Sequence, residues 1–295
     1  MVPDVKELMA KVGRIRVLTK RLVDDELSGD YHTSFKGQGV EFEEVRPYAF
    51  GDDVRAIDWN VTARTGVPYI KRYAEERELT ILFAVDVSGS LNYGSAGCTK
   101  AELAAEASAL LALTAIRNQD KVGLVLFSDH VVKYLPPRKG RDGVLRLARE
   151  VLAAGETAEG GTDIAGALAF LNRVCKRRAV VFLVSDFMTE QDYAKTLRLT
   201  AHRHDVICAT IADPTEKTLP NAGLVELEDP ETGEIAAVDT SDRAVQAAFA
   251  ARAAADQARL ARLLAQAGVD RVDLSTDRPY VNDIRALFKR RARKR

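Results

Sequence analysis

The chain has 295 residues, 46% of them hydrophobic, with 43 basic side chains against 43 acidic ones. That is an ordinary globular composition, long enough for one large α/β domain with a smaller attached element, or for two domains. The balanced charge excludes any overall electrostatic preference for nucleic acid or membrane surface. Cys98, Cys175 and Cys208 stand far apart and form no CxxC pair, so they read as buried free thiols in a reducing compartment. Met1 to Lys20 alternates charged and apolar residues and is no signal peptide, and no apolar run approaches the roughly 20 residues of a membrane span. A soluble, cytoplasmic protein is expected.

Val5 to Leu27 places Val5, Leu8, Val12, Ile15 and Leu22 at helical spacing, with Gly13 as a weak point. This predicts one or two surface helices, ended by a turn at Ser28-Gly29-Asp30. Gly37 to Glu78 differs in kind: Val40 to Arg46 reads as a strand, Asp52 to Trp59 as a short helix capped by Asp52, and Tyr69 to Tyr73 as a returning strand. The block holds the only Trp and many charges, and is either a β-hairpin extension held by ion pairs or a docking surface.

From Leu79 onwards strands and helices alternate. Leu79 to Val85 and Ala179 to Val184 are apolar runs suited to strands buried on both faces. The helix Lys100 to Asn118 carries Leu103, Ala107, Leu110, Leu111 and Thr114 on one face. Strands Lys121 to Phe127 and Val131 to Leu135 are joined by Ser128-Asp129-His130, a link too short for a parallel crossover. Helices Gly143 to Ala154, Ile164 to Cys175 and Glu190 to His202 follow, with a strand at Val206 to Ile211. A β-hairpin at Leu224 to Val238 breaks the alternation, and Ser241 caps a long Ala-rich helix that stops at Gly268. A short strand Val272 to Leu274 and a last helix from about Asn282 close the chain. The order implies a mostly parallel sheet with one antiparallel edge and helices on both faces.

The first central strand delivers Asp86-Val87-Ser88-Gly89-Ser90 to its carboxyl end, where open α/β sheets bind ligands. Gly89 permits a tight turn, so Ser88 and Ser90 can point the same way. One carboxylate and two hydroxyls are hard ligands that suit Mg²⁺ or Mn²⁺ rather than zinc, but they are too few for an octahedral ion. Two further turns bear oxygens: Gly160-Gly161-Thr162-Asp163, and Ser185-Asp186 at the end of the second central strand. Taken singly, these Ser and Thr residues would cap helices and the Asps would make turns. Asp163 is either a carboxylate behind the ligands or a helix-start residue. His32, His130, His202 and His204 share no metal spacing, and the last two read as surface residues. Gly94 to Lys100 is mis-spaced for phosphate, and there is no Walker or His-Glu-x-x-His motif. The basic run Lys289 to Arg295 is a solvated helix end or a contact for nucleic acid or an acidic partner.

The three segments together resemble the metal-ion-dependent adhesion site of von Willebrand factor A domains. There the pattern Asp-x-Ser-x-Ser, then Thr, then Asp falls here on Asp86, Ser88, Ser90, Thr162 and Asp186. The preceding block narrows this. Gly37-x-Gly39-x-x-Phe42, Arg46-x-Tyr48, Gly51-Asp52-Asp53-x-Arg55-x-Ile57-Asp58-Trp59, Ala63-Arg64 and Glu75-Glu76 resemble domain of unknown function family 58. These are prokaryotic proteins with a von Willebrand A-like half, commonly associated with MoxR-type AAA+ ATPases, and the resemblance runs from about Gly29 to Tyr280. It implies an N-terminal helical and β-hairpin extension over 1–78, and a von Willebrand factor A-like (Rossmann-type) domain over 79–295 with a hairpin insertion near 224–238. It also implies an Mg²⁺ or Mn²⁺ ion touched by Ser88, Ser90 and Thr162, with Asp86 and Asp186 acting through water, and a sixth position open to a partner's carboxylate. The expected task is metal-dependent protein binding with a MoxR-type ATPase or its client, and not catalysis. A metal-assisted phosphohydrolase is the alternative, though it lacks paired acidic ligands and an evident general base. So is a nucleic-acid-associated protein using the basic tail, against which the zero net charge argues.

Overall fold

The computed structural model describes residues 5–22, 25–35, 40–75, 78–140, 142–156, 160–228, 233 and 235–294. The chain starts with helices α1 (Val5–Leu22) and α2 (Asp25–Phe35). A separate two-stranded antiparallel ribbon follows, β1 (Val40–Pro47) with β2 (Tyr69–Glu75), and α3 (Trp59–Thr65) lies between its strands. Then come β3 (Thr80–Asp86), α4 (Lys100–Arg117), β4 (Lys121–Phe127), β5 (Val131–Arg138), α5 (Asp142–Glu156), α6 (Ile164–Val174), β6 (Val180–Ser185), α7 (Ala194–Arg203) and β7 (Asp205–Ala212). A second ribbon pairs β8 (Leu224–Glu228) with β9 (Ile235–Asp239). Helix α8 (Arg243–Ala267), β10 (Asp270–Ser275) and α9 (Val281–Lys294) complete the chain.

The expected α/β architecture is present. Six strands form one sheet in the order β10-β7-β6-β3-β4-β5, parallel throughout except for the antiparallel edge β5. Alternation along the strands divides the apolar residues between two cores. Ile81, Phe83 and Val85 of β3 stand in register with Val180, Phe182 and Val184 of β6, and all six point into the larger core. Leu82 and Ala84 point the other way, with Val181 and Leu183, to meet Ile164, Leu168 and Leu171 of α6 and Leu197 of α7.

The N-terminal helices depart from the surface placement expected of them. Leu27, Tyr31 and Phe35, spaced four apart on α2, are all buried, and they carry the helix straight through Ser28-Gly29-Asp30. Phe35 and Tyr31 meet Phe288 of α9 at ring-centroid distances of 5.8 and 5.7 Å. Phe35 also reaches Phe182, which stacks on Phe83 of the central strand at 5.3 Å. The Tyr31 hydroxyl donates to Asp120 Oδ2 at 2.6 Å, and Asp120 Oδ1 accepts the Leu79 N–H at 2.8 Å, so one carboxylate ties α2 to the entrance of β3.

Other differences are local. The segment after Asp52 is not one helix: Asp53 caps a single 3₁₀ turn at Val54–Ala56, Ile57 bridges to Ile70, and Asp58 caps α3. Asp52 instead takes a bidentate contact from Arg46 at 2.7 and 2.9 Å. The cap of α8 is Asp242, whose side chain accepts the Ala244 N–H, while Ser241 turns to Asp239. Of α8's 25 residues only Leu264 is buried, and Gly268 ends the helix in the left-handed region at φ +69°. His204 is buried at the start of β7, where it accepts the Ala179 N–H; burial, with Arg203 and Arg178 nearby, holds its pKa below the ordinary value. Cys98 and Cys175 are only partly buried, and Cys208 is fully so. Gly37-Gln38-Gly39, and Asp229 to Thr232 of the expected hairpin loop, lie outside the described residues.

The basic end of the chain is partly structural. Arg291 is 4% exposed, pairs with both Asp205 and Asp270, and lies 4.9 Å from the Phe35 ring centre. Removing one partner from a buried ion pair leaves charge uncompensated. Arg291→Met is therefore expected to lower unfolding free energy by about 3–5 kcal/mol, read from denaturant titration. A loss below about 1 kcal/mol would show the pairs to be incidental.

A pH dependence follows from Asp120. Burial pushes its carboxyl up to about 6, against the hydrogen bonds from Tyr31 and Leu79 that lower it. Its folded pKa is raised, so its contribution to stability is full below the unfolded value and lost as pH rises through about 6. Asp120→Asn should thus gain on the wild type by about 2 kcal/mol between about pH 4 and about pH 8. A stability difference that stays flat with pH would contradict this assignment.

Candidate metal centre

The carboxyl ends of β3 and β6 meet at one point. Val87 N–H bonds to Phe127 O of β4 at 2.8 Å, which holds the chain in line beyond Asp86. A 3₁₀ turn at Gly89–Asn92 then folds back and is anchored by buried Leu91. Asp86 is fully buried, and both its oxygens are engaged: Oδ1 accepts the Ser88 N–H at 2.9 Å and Oδ2 the Ser185 hydroxyl at 2.6 Å. Ser185 in turn accepts the Phe187 N–H at 2.9 Å. Phe187 sits in the left-handed region at φ +59°, a conformation costing a non-glycine residue about 1–2 kcal/mol. The turn aims Asp186 back towards β3, where Asp186 Oδ2 accepts the Ser90 hydroxyl at 2.8 Å. The Ser88 and Ser90 oxygens are 3.2 Å apart.

Four of the five expected residues, Asp86, Ser88, Ser90 and Asp186, are thus linked directly or through one bond. The fifth, Thr162, is buried in the loop before α6. That loop abuts the first through Gly89 N–H to Gly160 O at 3.4 Å, and it is held by Asp163 N–H to Ser128 O at 2.7 Å and Thr189 Oγ1 to Thr162 O at 3.1 Å. Asp163 is the helix-start residue: its side chain accepts the Gly166 N–H at 2.8 Å and caps α6.

Three participants were not among the expected site residues. Ser185 braces Asp86. Lys100, at the first turn of α4, is 1% exposed and extends its ammonium to Asp186 Oδ2 at 2.7 Å and to Glu216. Burial alone would lower the Lys100 pKa, but Asp186 and Glu216 hold it above the ordinary value. A signal was present in the sequence: Lys100 lies three residues before Leu103 and seven before Ala107, on the apolar stripe of its helix. Glu216 follows β7, where Asp213 accepts from the Ser95 N–H and hydroxyl, the Thr215 N–H and hydroxyl, and the Thr276 hydroxyl.

The donor set fits a small hard cation. Ser90 gives its proton to Asp186 and accepts one from Ser88, which leaves it a lone pair for a cation, and both carboxylates are fixed by neighbours. Burial, reinforced by the Asp186 charge, pushes Asp86 up to about 6, which marks a place where positive charge is in demand. Among the described residues no group of three or more His, Cys, Asp or Glu side chains is placed to hold a metal, so the hydroxyls are essential to any such site.

A mostly parallel sheet with this strand order, and an Asp-x-Ser-x-Ser turn facing a second aspartate across its carboxyl end, defines a von Willebrand factor A-like α/β protein. The chain belongs to the family described as Protein of unknown function DUF58, which it matches over residues 44–259. It is 33% identical over 282 residues to "Uncharacterized protein Rv1480" of Mycobacterium tuberculosis (strain ATCC 25618 / H37Rv), covering 95% of this chain and 89% of that one. In fold it is similar to the conserved hypothetical protein BatB from Bacteroides thetaiotaomicron, with a TM-score of 0.50 and 15% identity over 73% of this chain and 99% of the other. An aerotolerance-related membrane protein from Bacteroides fragilis gives a TM-score of 0.49 and 14% identity over 74% of this chain and 100% of the other. Such identities speak to fold alone.

The cytoplasmic expectation does not stand: the Bacteroides fragilis protein, for its part, is described as a membrane protein, and nothing here assigns this chain to the cytoplasm. The expectation rested on the lack of an apolar span. Among the described residues no helix is long and apolar enough to cross a membrane, and that fact does not assign a compartment.

Asp213 offers a test of how the site's rim is held. Burial would raise its pKa, but the donors from Ser95, Thr215 and Thr276 keep it well below the usual carboxylate range. Its contribution is therefore present above the unfolded value and lost only in strong acid. Asp213→Ala should cost roughly 2–3 kcal/mol at neutral pH and speed amide exchange at Ser95. Unchanged exchange there would show that the 93–99 loop is held by other contacts.

Proposed function

We propose that this protein is a divalent-metal-dependent protein-interaction module that captures an acidic side chain of a partner. The observation that carries the reading is the cluster of Ser88, Ser90 and Asp186 oxygens around the end of β3, with Asp86 raised by burial behind them. Ser88, Ser90 and Thr162 would hold Mg²⁺ or Mn²⁺ directly, and Asp86 and Asp186 through water. The ion supplies a Lewis-acidic point whose charge the hydroxyls do not cancel, which favours an incoming Asp or Glu. Both aspartates have each oxygen engaged by a donor, which supports binding rather than hydrolysis. The resemblance to domain of unknown function family 58 makes a MoxR-type AAA+ ATPase, or its client, the partner to test first.

Calorimetry with Mg²⁺ and pull-down of a MoxR-type ATPase separate the two parts. Thr162→Ala and chelation should each weaken capture at least about tenfold while leaving the fold intact. Capture that is equal in chelator would sink the metal-dependent mode and shift attention to the β1–β2 segment, where Phe50 and Trp59 are exposed. Metal binding without capture of any such ATPase would remove the partner and leave the module.

A further inference from the structure

The metal reading accounts for five side chains and leaves Lys100 unexplained. A lysine is almost never fully buried unless it is paired, and this one has its ammonium on Asp186 Oδ2, the same oxygen that accepts the Ser90 hydroxyl. The second contact, to Glu216, brings in a third carboxylate from beyond β7. Glu216 is itself fixed, since its other oxygen accepts the Asp213 N–H at 3.0 Å and completes a capping box. Lys100 is fixed at its backbone by the bond from its N–H to Tyr93 O at 2.9 Å, and Thr99 and Glu102 box the start of α4. The ammonium is therefore delivered from a rigid helix end to a point between Asp186 and Glu216.

We propose that Lys100 is a tethered cation that holds this site together without metal and, by occupying Asp186, sets a weak and exchangeable affinity for the divalent ion. This rests on the metal reading above. The physical reason is charge. Asp86, Asp186 and Glu216 against one ammonium leave two negative charges, which one divalent ion neutralises. Without Lys100 the local charge would be three, and the ion would feel no repulsion from a fixed positive charge. The ammonium also occupies lone pairs of Asp186 that would otherwise fix a metal-bound water. A site so built keeps its geometry when empty, whereas a site of bare carboxylates would repel itself apart. It also binds and releases metal as a partner's carboxylate arrives and leaves.

The test is Mn²⁺ titration, followed by calorimetry and by the electron spin resonance of free Mn²⁺, on the full chain. Wild type is compared with Lys100→Met, which keeps the stem and removes the charge, and with Glu216→Gln, which keeps the shape and removes one negative charge. Lys100→Met should bind Mn²⁺ at least about tenfold more tightly, and its thermal midpoint should depend more steeply on Mn²⁺ than that of the wild type. Glu216→Gln should bind severalfold more weakly. If Lys100→Met folds only with Mn²⁺ present, the tethered-cation role is supported. If it does not fold at all, Glu216→Gln decides, and unchanged affinity there overturns the proposal. Equal or weaker binding by folded Lys100→Met overturns the role of Lys100 and leaves the metal reading standing. Failure of both wild type and folded Lys100→Met to bind Mn²⁺ overturns both.

Discussion

A carboxylate with no solvent, at the end of the central strand, is the constraint from which the surrounding structure follows. Asp86 is fully buried, and a bare charge in that place would destabilise the centre of the sheet or take up a proton. Its neighbours are arranged to answer it. The chain turns at Ser88 so that an amide faces one oxygen, and Ser185 on the adjacent strand faces the other. Holding Ser185 there requires Phe187 in the left-handed region, and that turn in turn presents Asp186. A second charge then needs an answer, which Lys100 supplies from the start of α4. The strain at Phe187 and the burial of Lys100 are both consequences of placing the first aspartate where a ligand can be met.

The opposite end of the sheet is closed by different chemistry. Asp205 at the start of β7 and Asp270 at the start of β10 share Arg291, and Asp120 before β4 takes the hydroxyl of Tyr31. Between these anchors Tyr31, Phe35 and Phe288 fill the space above Phe182. The large core is therefore finished by helices from both ends of the chain, and the sheet alone would leave that face open.

What was legible in the sequence, and what was not, follows from the range of the forces involved. The apolar runs of β3 and β6, the antiparallel edge forced by Ser128-Asp129-His130, and the stop at Gly268 are local, and each is read directly from its residues. The oxygen-bearing turns are local as well, but only the resemblance to a family pattern across three segments joined Asp86, Ser88, Ser90, Thr162 and Asp186 into one expected site. Lys100 was within reach through its place on the α4 stripe, but its partners Asp186 and Glu216 stand 86 and 116 residues away. Ser28-Gly29-Asp30 has the composition of a turn, and only burial of Leu27, Tyr31 and Phe35 by distant helices overrides it. Arg291 and His204 fail for the same reason: a basic run and a helix end look solvated until a fold places carboxylates or strands over them.

The meeting of α2 with α9 also bears on the order in which the protein can be made. Phe35 and Phe288 leave the ribosome roughly 250 residues apart, so at ordinary elongation rates α2 waits many seconds for its cover. During that time the apolar stripe of Leu27, Tyr31 and Phe35 is a surface for chaperones or for other nascent chains. The large core can close only when α9 arrives.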